Sequence, residues 1–113
     1  MTKRTFAVLT LALAGSLAGP TYSAEVLIAG GKPTAVYADL SDVVVQVNVN
    51  GDCKPFGGPS PSSHFFHFPR AKTNFHELTA LALTAISAGK TMDFFVDGCT
   101  GDRNLVGHAR VNN

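Results

Sequence analysis

Residues 74–99 read NFHELTALALTAISAGKTMDFFVDGC, and the period of the apolar positions changes inside this stretch. Phe75, Leu78, Ala82 and Ala85 recur at steps of three and four, which sets them on one face of a helix; Leu81 and Ile86 widen that stripe. Asn74 followed by Glu77 resembles a capping box, with Asn in place of the usual Ser or Thr, so a helix is expected over 74–88. Gly89 stands at the C-terminal cap position. Ala82, Ala85 and Ala88 are small enough to let a sheet or a second helix approach closely. From Thr91 the period drops to two. Met92, Phe94 and Val96 alternate with Thr91, Asp93 and Asp97, and only Phe95 breaks the polar side, so 91–97 reads as a strand with one buried face.

The flanking sequence supplies more strands. Residues 26–29 are a short apolar run ended by Gly30-Gly31, and 34–38 can form a strand after Pro33. In 43–49, Val43, Val45, Val47 and Val49 share one face and Gln46, Asn48 and Asn50 the other, with Val44 the exception. Leu40-Ser41-Asp42 reads as the turn before this strand, and Asn50-Gly51-Asp52 as the turn that delivers Cys53 after it. Residues 54–63, KPFGGPSPSS, suit neither ladder nor helix and read as a loop. Residues 64–68, HFFHF, form a strand with Phe66 and Phe68 on one face and Phe65 on the other, ended by Pro69. After a polar turn over 98–104, the last strand is 105–111. Leu105, Gly107, Ala109 and Val111 are expected on one side, and Val106, His108 and Arg110 on the other. This order predicts a mainly β (α+β) domain: a small OB-like antiparallel barrel or a curved sheet packed on one helix.

The composition of 113 residues averages two unlike pieces. Lys3-Arg4, the apolar run 6–17, the break at Gly19-Pro20 and the small pair Ser23-Ala24 read as a signal peptide over 1–24. Tyr22 is not small, so a cut after Ser23 stays open beside one after Ala24. The apolar run is shorter than the roughly 20 residues a spanning helix needs. What remains, 25–113, is a single exported domain, secreted or periplasmic, with no membrane span. Nine basic and eight acidic residues become seven and eight once Lys3 and Arg4 leave. Such a balance gives no support to nucleic-acid binding by phosphate neutralisation.

Cys53 and Cys99 are the only cysteines. An even pair in a small exported domain reads as a structural disulfide. A free or metal-bound pair is the rival, but no C-x-x-C is present and a zinc site needs about four ligands.

Tyr37-Ala38-Asp39, the strand 43–49 with Cys53, the helix running into Gly89-Lys90, and Phe94-Phe95-Val96-Asp97-Gly98-Cys99 together resemble a group of small exported bacterial proteins. The resemblance covers most of 33–111 and rests on structural positions. In size and element order that group is similar to the B subunits of AB5 toxins, which are OB folds that assemble into pentameric rings and bind glycans. The likeness therefore implies a homo-oligomer and a glycan or protein ligand. No matching sugar-binding motif is present, so no contact residue is carried across.

Candidate chemistry is sparse. His64 and His67, three apart on a strand, are expected on opposite faces, His76 sits in the first helical turn, and no pair has ligand spacing. The serines of 60–63 lack a nucleophile-elbow pattern, and Asp39, Asp42, Asp93, Asp97 and Asp102 fall at turns or strand exteriors. Residues 97–102 lack the spacing and closing Glu of a calcium loop, and a hairpin turn accounts for them better. No catalytic residue, metal ligand or cofactor site is assigned. Phe56, Phe65, Phe66 and Phe95 exceed one core face; a two-sided core is the simpler account, and Phe56 is the member expected to be exposed. The expected function is a non-enzymatic binding or interaction module. A small envelope inhibitor or accessory factor and a small secreted hydrolase are the alternatives.

Closing a loop as long as Cys53 to Cys99 is expected to stabilise the fold by about 4 kcal/mol in the chain-entropy picture. Cys53→Ser should therefore lower the unfolding free energy by that order in a denaturant melt; an unchanged midpoint would deny the disulfide its role.

Overall fold

The structure is a computed structural model that describes residues 25–113. The expected signal segment, 1–24, lies outside the described residues. The strands are β1 (Val26–Gly31), β2 (Pro33–Ala38), β3 (Asp42–Val47), β4 (Phe65–Pro69), β5 (Met92–Thr100) and β6 (Arg103–Val111), with helix α1 (Phe75–Ala88) between β4 and β5. The mainly β architecture with one helix is as expected from the periodicities. The loop after β3 holds one turn of 3-10 helix, Lys54–Phe56, which its Gly/Pro content did not suggest.

All six strands belong to one mixed sheet in the order β1-β5-β6-β4-β3-β2. Neighbours run antiparallel except β4 and β6, which are parallel. The sheet is open, with β1 and β2 as its two edges. Those edges are nevertheless consecutive in the chain, joined through Lys32 alone. Laid flat, six strands would separate their edges by about 24 Å. Two peptide steps span about 7 Å at most. The sheet must therefore curl until its edges meet at one corner. There the Asn48 N–H donates to the Lys32 carbonyl (3.1 Å) and the Lys32 N–H to Asn48 Oδ1 (2.8 Å).

Curling gives the sheet an inner face, and the alternating apolar residues fill it. Val43, Val45 and Val47 of β3, Phe66 and Phe68 of β4, Met92, Phe94 and Val96 of β5 and Val106 of β6 form the core. Phe66 and Phe94 stack with centroids 4.6 Å apart. Phe75, Leu78, Ala82 and Ala85 bury the expected stripe of α1 against this core. Gly89 ends the helix at φ 66°, with its N–H on the Ile86 carbonyl and the Lys90 N–H on Ala85, a Schellman arrangement that few residues other than glycine adopt freely. At the other end no capping box forms: Asn74 makes no side-chain cap bond, and its Nδ2 instead donates to the Gly107 carbonyl of β6 (3.0 Å).

The last hairpin departs from simple alternation. The strands run on to Thr100 and from Arg103, so the expected polar turn over 98–104 shrinks to Gly101-Asp102 and Cys99 lies within β5. Phe95 pairs with His108 but Val96 with Val106, which leaves Gly107 bulged. The bulge reverses the alternation, so Val106 joins the core while Ala109 and Val111 also pack against it. A side chain at the bulge would have to displace the Asp97 carboxylate, because a Cβ on Gly107 would lie 2.6 Å from Asp97 Oδ2.

Asp93 secures the corner from the outer side of β5. Its Oδ1 accepts from the Gly30 N–H (2.8 Å) and Asn112 Nδ2 (2.9 Å), and its Oδ2 from Arg110 Nε (2.7 Å). The Asn112 amide first, then the Gly30 N–H, hold this carboxyl below the usual carboxylate range, and Arg110 adds to them. The folded protein thus takes up this proton less readily than the unfolded chain. The contribution is complete above the ordinary carboxylate pKa of about 4 and is lost as pH falls through the lowered folded value. Unfolding free energies measured between pH 6 and pH 2 should fall less steeply for Asp93→Asn than for the parent below about pH 4. Parallel profiles would contradict the assignment.

Candidate functional site

The outer face of β2, β3 and β4 carries the residues that alternate with the core. Tyr37, Val44 and His67 form one cross-strand row, and Phe65 lies beside Gln46 one pair further on. These side chains floor a cleft of about 440 Å³. Its walls come from three connections: Asp39 after β2, Ser63 and His64 before β4, and Asp102 with Arg103 at the β5–β6 turn. The cleft therefore exists because strand alternation sends Tyr37, Phe65 and His67 outward and because the loops at this end of the sheet rise around them.

Aromatic rings dominate the floor. Tyr37, 48% exposed, meets Phe65 edge to face with centroids 6.5 Å apart. His64 lies over Phe65 at 4.3 Å. Val44, flanked by Tyr37 and His67 in its row, is only 1% exposed although it faces away from the core. Its exceptional place in the alternation is thus the buried base of the cleft. His67 is 6% exposed, and its Nδ1 lies 2.9 Å from Asp42 Oδ2.

Two residues hold the walls. Arg70 donates from Nε (3.2 Å) and Nη2 (3.1 Å) to the Asp39 carbonyl, its own N–H donates to the Ser41 carbonyl (3.0 Å), and its guanidinium lies 5.3 Å from the Phe75 ring centroid. It fixes the β2–β3 turn to the start of α1. Asn104, fully buried, donates through Nδ2 to the carbonyls of Ser63 (3.0 Å) and Phe65 (2.9 Å) and accepts from Ser62 Oγ (2.6 Å) at Oδ1. It anchors the segment that presents His64. Cys99, its partner across β5–β6, is bonded to Cys53, so the same spot ties down both ends of the long loop after β3. In that loop the Asp52 carboxyl accepts from the Lys54 N–H (2.9 Å), which, with the Ser60 hydroxyl, keeps it below the usual carboxylate range.

The residues singled out from the sequence distribute unevenly. His64 and His67 were expected on opposite faces, yet both line the cleft: β4 begins at Phe65, so His64 precedes the strand and is not bound by its alternation. His76 is exposed on α1. His108 lies on the far outer face, stacked on Phe95 at 4.3 Å. Phe56, expected to be exposed, is half-buried and packs against the core. The Phe excess divides accordingly: Phe66 is core, while Phe65 and Phe95 sit on opposite stretches of the outer face. Arg70 and Asn104 were not recognised as functional positions. A lone Arg after a Pro-terminated strand and a lone Asn in a polar turn carry no periodic signal.

Among the described residues, no group of three or more His, Cys, Asp or Glu side chains is placed to hold a metal ion, and no helix is long and apolar enough to cross a membrane. The cleft offers an aromatic platform with hydrogen-bonding groups around it. No protein-family model matches this chain, and no curated protein matches it.

Removing the Arg70 clamp should free the β2–β3 turn without touching the core. Arg70→Ala is expected to speed amide exchange at Asp39 and Asp42 while leaving exchange at Val45 and Phe94 unchanged. Equal acceleration throughout would show that Arg70 supports the fold rather than the rim.

Proposed function

We propose that the chain is an exported, non-enzymatic binding module of OB-like architecture whose outer-face cleft takes a saccharide. The observation that carries this reading is the cleft itself. Tyr37, Phe65 and His64 present ring surfaces beside the carboxylates of Asp39 and Asp102 and the guanidinium of Arg103. A pyranose has an apolar C–H face suited to stacking on rings and a rim of hydroxyls that both donate and accept hydrogen bonds. A polynucleotide suits the cleft less well, since Asp39, Asp42 and Asp102 surround a single Arg103.

The element order supports the OB-like reading. Taken as one strand bent at Lys32, β1 and β2 reduce the sheet to five strands, with the helix between the third and fourth. In OB folds the outer face of the central strands, with the loops beside it, takes oligosaccharides and oligonucleotides. A cleft on the outer face of β2–β4, walled by the β2–β3 and β5–β6 turns, supports the same use here. Export is supported by the leader-like residues 1–24 and by the disulfide, a bond that persists in oxidising compartments. The non-enzymatic reading is supported by Ser63, whose Oγ accepts from the Phe65 N–H of the backbone.

A protein partner is the second reading, consistent with a small envelope inhibitor or accessory factor. Leu40, at the tip of the turn beside Asp39, is 97% exposed and free to insert into such a partner.

A glycan array probed with the disulfide-bonded protein is expected to give specific signals that Tyr37→Ala weakens about tenfold or more. A blank array would overturn the saccharide reading and pass the weight to Leu40 and a protein partner.

A further inference from the structure

We propose that His67 selects the ligand, offering the cleft a ring nitrogen that Asp42 fixes as a hydrogen-bond acceptor. The inference rests on reading the cleft as a saccharide site and adds what that site accepts.

His67 is 6% exposed, yet it is among the residues that line the cleft. Its Nδ1 lies 2.9 Å from Asp42 Oδ2, and the Asp42 side chain is itself mostly buried, at 14% exposure. An ionised carboxylate can only accept, so Nδ1 carries the proton in this contact. In the tautomer that donates from Nδ1, Nε2 carries a lone pair. Among the described residues nothing donates to that nitrogen. The flanking main chain is engaged elsewhere, since His67 pairs with Val44 of β3 on one side and Leu105 of β6 on the other. A buried acceptor without a partner is uncommon in a folded protein, and at the floor of an open cleft its natural partner is the ligand.

That partner has to donate a hydrogen to Nε2 while its apolar face rests on Tyr37 and Phe65. A sugar hydroxyl does both. A carboxylate or a fully ionised phosphate has no hydrogen to give and would set its charge against the lone pair, with Asp42 immediately behind. The site therefore favours neutral hydroxylated ligands over anionic ones. Asp42 acts as a positioning residue, since it reaches the ligand only through the ring it orients.

The test is a histidine-ring proton–nitrogen correlation spectrum of the full chain, alone and with methyl glycosides of glucose, galactose and mannose, with inorganic sulfate, an anion that has no hydrogen to give at neutral pH, as the contrast. In the free protein His67 should be protonated at Nδ1 and bare at Nε2; a proton on Nε2 would overturn the proposal whatever binds. At least one glycoside should shift Nε2 of His67 together with the Tyr37 ring, and sulfate should leave Nε2 unmoved. His67→Gln should weaken that glycoside about tenfold. If His67→Gln does not fold, the ring nitrogens of the parent protein decide the matter. A glycoside that shifts Tyr37 but not Nε2 would refute the role of His67 while leaving the saccharide reading intact. A sulfate-induced shift at Nε2 would refute the selection. If no glycoside moves Tyr37, the saccharide reading fails and this inference with it.

Discussion

One residue, Lys32, joins the two edges of a six-stranded sheet, and the shape of the domain follows from that. A flat sheet cannot satisfy the connection, so the strands curl until β1 and β2 meet. The curl separates an inner face, which the valines of β3 and the phenylalanines of β4 and β5 fill, from an outer face on which alternate residues must find other work. Asp93 supports the same corner by accepting the Gly30 N–H where the β1–β5 ladder shifts register. The bulge at Gly107 serves the curl from the opposite strand, since it bends β6 and returns Val106 to the core.

The long loop after β3 is held by a different device. Residues 54–63 have too little apolar surface to pack themselves down, so covalent and polar anchors do it. Cys53–Cys99 ties the start of the loop to β5, and one residue opposite, Asn104 receives its far end at Ser62 and Ser63. These anchors sit directly beneath the wall of the cleft that carries His64. Arg70 does the same for the facing wall. The floor of the cleft is therefore set by strand alternation, and its walls by a few buried or clamped polar groups.

Most of the fold was legible because periodicity reports burial directly. The valines of 43–47, the alternation in 91–97 and the helical stripe through Leu78 and Ala82 each had to bury one face, and each does. What stayed hidden depends on pairs of residues distant in sequence. Whether Gly107 bulges depends on its partner strand. Whether Asn74 caps its helix depends on a carbonyl on β6 that competes for its amide. Phe56 looked exposed because its neighbours are loop-formers, although one turn of 3-10 helix brings it against the core. The site was less legible still. Tyr37 reads only as a strand residue and Phe65 as one off the face of Phe66 and Phe68, and nothing local announces that His64 and His67 share a cleft, because that turns on where β4 begins.

The reading of function depends on the outer face of β2–β4 being the surface that meets a ligand. A chemical-shift map of the nitrogen-15-labelled protein, titrated with a saccharide that it retains, tests this most directly. The account predicts shifts confined to the backbone around Tyr37, Asp39, His64, Phe65, Asp102 and Arg103. Shifts gathered instead around Leu27, Phe95 and His108, on the far outer face, would contradict it.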